Sequence, residues 1–313
     1  LKAMRFPPPR HLLPTALKIT AAVLLPLIVV SQLVGGRAVL PGVLALLSVA
    51  FVPYCTLRQA IGMCGALVVV GTLGTAAYGN DPAVVALVVV TCMAAGLLSR
   101  FSAGVFGVAP IVAAVAGLDV PKNPPVTVAL VMTAVCAYVI LVVHLTKVHI
   151  EPAPVPFDVA KRHAAVMAAA CGAATAVALY FDMPKSYWLV MTLAIVLRPY
   201  AVDSLVKNRR RVIGTVAGAM IAAVLSPLPR PWQMLMAAIC MTLMFAYMAQ
   251  KDYVLQVTFM TPMVIFLVSS GSVDDTFYLD GLRVVYTVGA CIAGGLLSLA
   301  LARGPDATSV AQA

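Results

Sequence analysis

Apolar stretches long enough to cross a membrane recur along the whole chain, and they constrain its fold more than any other feature. Of the 313 residues, 62% are hydrophobic and 10% are charged. A helix needs about 20 apolar residues to cross the hydrocarbon core of a bilayer, which is about 30 Å thick. The sequence therefore predicts an all-α polytopic membrane protein and excludes a soluble globular domain.

Twelve apolar segments are predicted to be transmembrane helices, six on each side of a proline-rich linker. In the first half they cover about 13–34, 39–54, 59–78, 82–98, 103–118 and 126–144. In the second half they cover about 160–181, 187–200, 211–225, 232–249, 253–269 and 282–302. The first segment is too long for the apolar core of a typical signal peptide, so we expect it to be retained.

These segments predict a domain organisation with two membrane repeats. The parts are an N-terminal arm (1–12), a first six-helix repeat (13–144), a linker (145–159), a second six-helix repeat (160–302) and a C-terminal tail (303–313). Because each repeat has an even number of helices, the two are expected to be parallel in the membrane.

The basic residues predict how these helices are oriented. With the N-terminus inside, 16 of the 21 Lys and Arg fall on the cytoplasmic side and 5 on the opposite side. Cytoplasmic connections carry an excess of Lys and Arg, so both termini are expected in the cytoplasm. We therefore expect a multi-pass membrane protein. Orientation explains the net charge of +10 better than binding to nucleic acid does.

The two halves resemble each other around a short second helix that ends at a proline. The first ends at Pro53 and Tyr54, and the second ends at Arg198, Pro199 and Tyr200. Short or interrupted helices at matching positions of duplicated transporters often line the substrate site, because a helix that ends inside the bilayer exposes backbone groups. Alternatively, both helices end at the membrane surface, where the tyrosines anchor them. The sequence leaves both interpretations open.

Arg198 is the leading candidate for binding an anionic substrate. A guanidinium group beside a helix end suits bidentate capture of a carboxylate, although such a side chain can also reach towards lipid headgroups. Arg211 is the second candidate, because it lies where the third helix of this half is predicted to begin. Trp188 or Tyr200 is expected to stack on a substrate ring.

The residues around Arg211 have structural interpretations as well. Gly214, Thr215 and Gly218 form a small-residue pattern that favours close helix packing. The basic run Lys207–Arg211 is interpreted as an orientation signal and a loop that binds membrane lipid.

Acidic residues are absent from the middle of every predicted helix, so a buried carboxylate relay is not expected. Candidates for proton coupling at the predicted boundaries are Asp203, Asp252, Asp280 and His163. Each of them is more often an ordinary interfacial residue. Arg283, near Asp274, Asp275 and Asp280, is interpreted as part of an ion pair on the outer face rather than as a gate.

Motifs for catalysis are not found in the sequence. It has no Walker A motif, no His-Glu-x-x-His and no Gly-x-Ser-x-Gly, so we expect neither an enzyme nor a bound metal or cofactor. The seven cysteines form no Cys-x-x-Cys pair and are interpreted as small buried apolar residues.

The segment 187–218 resembles the fusaric acid resistance family, which includes bacterial aromatic acid exporters and is distantly similar to aluminium-activated malate transporters. The resemblance rests on Tyr187, Trp188, Thr192, Pro199, Arg211, Gly214, Thr215 and Gly218. Arg283, Thr287 and Gly289 in the last helix also fit, and the likeness extends over about 160–302. It implies an exporter of aromatic or other organic acids that is energised by an ion gradient.

Two other functions remain open from the sequence. One is a passive organic-anion channel, which needs no carboxylate relay. The other is a non-transporting envelope protein that binds lipid through its basic segment. A homo-oligomer is compatible with any of the three functions.

Overall fold

The computed structural model describes residues 8, 10–35, 39–101, 107–119, 123–146, 154–269 and 271–302. These residues form twelve α-helices and contain no β-strand, which confirms the all-α prediction for this part of the chain. The helices are α1 (Leu13–Leu33), α2 (Val39–Leu46), α3 (Leu57–Ala77), α4 (Asp81–Leu98), α5 (Val108–Asp119), α6 (Pro125–Thr146), α7 (Phe157–Tyr180), α8 (Tyr187–Val196), α9 (Ala201–Leu225), α10 (Arg230–Ala249), α11 (Tyr253–Val268) and α12 (Val273–Ala302). Short 3₁₀ helices cover Arg10–Leu12, Leu47–Ala50 and Val52–Tyr54.

Seven of these helices, α1, α3, α4, α6, α7, α10 and α12, are long and apolar enough to cross a membrane. Many large apolar side chains are exposed on the protein surface. For example, Leu130 on α6 is 67% exposed and Leu296 on α12 is 64% exposed. A lipid-facing surface requires side chains of this kind. The count of twelve membrane spans and the arrangement as two six-helix repeats stay predictions.

Two helices begin earlier than hydropathy predicts. α9 begins at Ala201 instead of Arg211, so the basic run 207–211 lies in a helix and not in a loop. α12 begins at Val273 instead of Leu282, which places Asp280 inside a candidate membrane span, contrary to expectation. Hydropathy marks where apolar residues stop, whereas a helix continues through Lys, Arg and Asn at little cost in propensity.

Contacts between residues divide the chain into two compact units. Unit 1 contains the residues up to Leu24 and Leu205–Ile292, and unit 2 contains Leu25–Ser204 and the residues from Ala293 onward. The predicted repeat boundaries stay a prediction, and parts of the predicted arm, linker and tail lie outside the described residues.

Unit 2 is built around the packing of α4 on α7 and of α3 on α5 and α6. α8 packs against α5 and α7, and this buries Trp188, Val190 and Val196. The interior position of α8 explains its almost wholly apolar sequence, since nearly every face meets another helix.

Unit 1 contains a hairpin of α10 and α11. The rings of Tyr247 and Phe259 stack with their centroids 5.5 Å apart and an angle of 3° between the ring planes, and Cys240 completes the buried cluster. Asp252 caps α11, because its carboxylate accepts the N–H of Leu255 at 3.2 Å. These contacts make the hairpin an apolar core element with one polar cap.

Two polar side chains near the start of α10 bind the ends of neighbouring helices. The Nε2 of Gln233 donates to the carbonyls of Ser226 at 3.0 Å and Gly271 at 3.3 Å. A guanidinium nitrogen of Arg230 donates to the carbonyl of Phe266 at 2.7 Å. Phe266 lies in the last turn of α11, where carbonyls lack an intrahelical partner, and Ser226 and Gly271 lie in the connections beside helix ends. Nothing in the sequence alone pointed to this role.

Candidate functional site

A helix break is present at Pro199, where the sequence analysis places one. α8 ends at Val196, Leu197 is extended with φ −68° and ψ 122°, and α9 begins at Ala201. Proline has no N–H for the helical ladder, and it also disfavours helical geometry at the residue before it. Arg198 and Pro199 therefore lie in the connection between two helices.

Ser204, in the first turn of α9, holds this connection. Its hydroxyl oxygen accepts the N–H of Arg198 at 2.9 Å, and the hydroxyl lies 3.2 Å from the carbonyl of Tyr200, to which it donates. Ser204 is 1% exposed, so water does not compete for these bonds. The backbone from which the Arg198 side chain departs is thereby fixed.

Arg198 lines a small pocket in unit 2 together with Arg162 and His163 of α7. The other lining residues are Val166, Leu197, Pro199 and Ser298. Arg162 is exposed, whereas His163 and Arg198 are half-buried and interact electrostatically. Two guanidinium groups and an imidazole on the wall of a small pocket suit a small anionic group such as a carboxylate.

The α7 part of this pocket was only partly predicted from the sequence. His163 was a candidate for proton coupling, and Arg162 was not a candidate for any site. The available signal was the basic triplet 161–163 in the first two turns of a long helix, which packing of α7 on α8 brings to the helix break.

Several other predicted site residues do not line this pocket. Trp188 is 1% exposed and lies at the opposite end of α8, where its ring packs edge-to-face on Tyr187 with centroids 5.5 Å apart. Tyr200 is half-buried in the connection itself. In the first half of the chain, Pro53 is buried and Tyr54 half-buried in a 3₁₀ helix that packs against α6.

Arg211 belongs to a polar stripe on the buried face of α9 in unit 1. The stripe consists of Asn208, Arg211 and Thr215, whose exposed fractions are 6%, 2% and 1%. Arg209 and Arg210 lie between them in sequence and are exposed. Residues three and four apart share a helix face, so the basic run has one buried face and one exposed face.

Gly214 and Gly218 lie where α9 approaches α11. A Cβ on Gly214 would lie 2.7 Å from the carbonyl oxygen of Val254, and a Cβ on Gly218 would overlap the carbonyl oxygen of Thr258. The two backbones can approach this closely only because neither glycine has a side chain.

The acidic candidates have different environments. Asp280 is 6% exposed and interacts electrostatically with Arg283, which is 1% exposed, so both side chains are buried inside unit 1. Their place at the outer face of the membrane stays a prediction. Asp252 serves as the cap of α11. The side chain of Asp203 lies outside the described residues.

The histidine, cysteine and acidic side chains form neither a metal site nor a disulfide among the described residues. Among the described residues, no three His, Cys, Asp or Glu are grouped as metal ligands would be. All seven cysteines are free, and six of them are buried, in agreement with their interpretation as apolar core residues.

Part of the chain matches a model of a known protein family. Residues 172–297 match the fusaric acid resistance protein-like family. For this segment the match confirms the resemblance recognised in residues 187–218. The fusaric acid resistance-like segment contains Arg198, Arg211 and Arg283, whereas Arg162 and His163 lie shortly before it. No curated protein and no solved structure matches the chain.

The family match and the long apolar helices indicate the same class of protein. Seven helices of membrane-spanning length and a fusaric acid resistance-like segment support a multi-pass membrane protein of transporter type.

Proposed function

We propose that this protein exports aromatic or other organic acids across the bacterial cytoplasmic membrane, with both termini inside. The observation that carries the proposal is the pocket at the end of α8, where Arg162, His163 and Arg198 meet apolar walls. The resemblance to the fusaric acid resistance family implies the same class of substrate.

In this proposal each part of the pocket has a role. Arg198 binds the carboxylate with two parallel N–H donors, and Arg162 adds a second positive charge. The imidazole of His163 donates a further hydrogen bond to the anion from a ring N–H. Val166, Leu197 and Pro199 contact the apolar part of the substrate.

The interruption between α8 and α9 supports transport over simple binding. Membrane transporters place substrate sites at interrupted helices, because the backbone there is free of the helical ladder. In this protein the interruption follows an interior helix, and a pocket-lining arginine lies within it. Arg198 therefore couples substrate binding to the position of the backbone between α8 and α9.

Asp280 favours coupling to a proton gradient over a passive channel. Acidic side chains are rare in membrane-spanning helices and often belong to proton relays. Asp280 is buried within a candidate span, beside Arg283. Protonation of Asp280 would release Arg283 from that interaction, which is the kind of local change an exchanger requires. Arg209 and Arg210, on the exposed face of α9, are the proposed contacts for lipid headgroups.

Efflux of a radiolabelled aromatic acid from loaded cells tests the proposal, with wild type compared to Arg198→Ala at equal membrane levels. A hydrogen bond to a charged group contributes about 1.5–3 kcal/mol, so we expect efflux to fall about 10-fold or more. Arg209→Ala, which removes an exposed arginine of the fusaric acid resistance-like segment, is the matched control. Unchanged efflux in Arg198→Ala, or an equal loss in both variants, contradicts the proposal.

A further inference from the structure

The stripe formed by Asn208, Arg211 and Thr215 does not line the pocket of Arg198, and several of its buried polar atoms have no hydrogen-bond partner among the described residues. We propose that it is a second anion-binding site, inside unit 1, which takes a carboxylate stripped of water. The proposal rests on the proposed function only for the choice of a carboxylate as the anion.

The first support is the number of buried polar atoms on this face without a hydrogen bond. They are both side-chain polar atoms of Asn208, the Nε of Arg211 and the Oγ1 of Thr215. Buried polar groups nearly always have a partner, and a buried guanidinium group is costly without a counter-charge. Three successive unsatisfied side chains on one helix face therefore indicate a ligand.

The second support is that Arg211 forms no ion pair within 4 Å with any carboxylate in the part of the chain that the structure describes. The guanidinium group of Arg211 acts electrostatically on Cys291 of α12. Asp280, the buried acid of the same helix, is eleven residues from Cys291, or about 16 Å along the axis at 1.5 Å per residue. Asp280 interacts instead with Arg283, one turn away from it.

The donors also match the geometry of a carboxylate. The amide of Asn208, the guanidinium fork of Arg211 and the hydroxyl of Thr215 follow one another along about two turns of α9. An oxyanion with two oxygens can accept from the guanidinium fork and from a neighbouring amide or hydroxyl at once. Thr287 of α12, one turn before Cys291 and 1% exposed, offers a further hydroxyl on the neighbouring helix.

This site is separate from the pocket described above. The pocket consists of residues of unit 2, and the stripe belongs to unit 1, so the two share no residue. A substrate carboxylate can therefore be recognised at two places by the same chemistry. Arg211 is the defining residue of one and Arg198 of the other.

The test measures thermal stabilisation of the full chain in phosphatidylcholine nanodiscs by sodium benzoate, with benzamide as the uncharged analogue. A ligand that binds only the native state raises the midpoint of unfolding. All proteins carry Arg198→Gln, which removes the anchor of the pocket. We expect benzoate, but not benzamide, to raise the midpoint, and Arg211→Gln to remove at least half of that rise. Lys251→Gln, which removes an exposed positive charge of unit 1 outside the stripe, is the control and should retain the full rise.

The proposal is overturned if benzamide stabilises as strongly as benzoate, or if Arg211→Gln retains the full rise. Should Arg211→Gln fail to fold, Thr215→Val keeps the volume of the side chain and must also reduce the rise; a full rise in that variant overturns the site. An Arg211-dependent rise without any efflux would contradict the proposed function and leave this site standing. Normal efflux in wild type, together with a benzoate-induced rise that does not depend on Arg211, would overturn this site and leave the proposed function standing.

Discussion

The backbone N–H of Arg198 donates to the hydroxyl of Ser204 at 2.9 Å, across the break between α8 and α9. The bond joins the residue that follows the end of one helix to the first turn of the next. It sets the direction in which Arg198 leaves the backbone, and so it links the position of this side chain to the first turn of α9.

Replacing Ser204 with Ala should loosen this connection. The variant leaves the buried N–H of Arg198 without its acceptor, and an unsatisfied buried group costs about 1–3 kcal/mol. We expect a lower unfolding midpoint together with weaker binding of aromatic acids, measured by efflux at increasing substrate concentration. Ser226→Ala, which removes a local hydroxyl–carbonyl bond in unit 1, should lower stability without weakening binding. Equal effects of both variants on binding would show that Ser204 does not position Arg198.

The glycines of α9 should tolerate no side chain. Gly214→Ala would place a methyl group 2.7 Å from the Val254 carbonyl oxygen, so α9 and α11 must separate. We expect a loss of about 1–3 kcal/mol in the free energy of unfolding, as for other overpacked sites. This free energy is measured for both proteins by unfolding in a denaturing detergent.

Gly281→Ala is the matched control for this experiment. Gly281 lies in the interior of α12, and a Cβ there would meet no atom within 4 Å. Because alanine has the higher helix propensity, by about 0.8–1.0 kcal/mol, this variant should be as stable as wild type or more so. Equal destabilisation of both variants would contradict the close packing of α9 on α11.

The polar contacts of Gln233 should be essential to the stability of unit 1. Gln233→Leu keeps much of the volume but leaves the carbonyls of Ser226 and Gly271 without this donor. We expect a cost of about 1–3 kcal/mol, seen as a lower midpoint of thermal unfolding. Gln32→Leu, an exposed glutamine of α1, should change the midpoint little. A midpoint for Gln233→Leu at the wild-type value would contradict this role.

Neutralising Asp280 should uncouple transport from the proton gradient. Asp280→Asn removes the only change of charge available at this buried position beside Arg283, so flux in proteoliposomes should no longer respond to an imposed pH gradient. Flux measured with and without the gradient gives the coupling directly. Asp274→Asn, at an exposed residue in the first turn of α12, should keep the response. A full response in Asp280→Asn would favour a passive channel.

Hydropathy and motif spacing predicted a large part of the fold from sequence. They placed most helices to within a few residues, the helix break at Pro199 and the resemblance of residues 172–297 to the fusaric acid resistance protein-like family. Their errors were at the starts of α9 and α12, where polar residues continue a helix. An apolar pattern reports the environment of a helix and not its hydrogen bonds, so it cannot locate a helix start among charged residues.

The residues of the candidate site also fall into those that the sequence predicts and those that it does not. Arg198 could be recognised from sequence because a permanent charge beside a proline in an apolar segment is unusual. Arg162 could not, because its relevance depends on α7 packing against α8. Trp188 was predicted to contact substrate, but its ring packs on Tyr187 in the interior, away from the pocket.

The sequence by itself determined that the chain is helical, apolar and suited to a membrane, because these properties follow from composition and local periodicity. Only the tertiary structure decided which basic side chains are grouped and which are buried. The exposed Arg210 and the buried Arg211 are neighbours in the chain and indistinguishable by residue type. Their difference comes from the 100° turn between successive residues of α9 and from the helices that cover one of its faces.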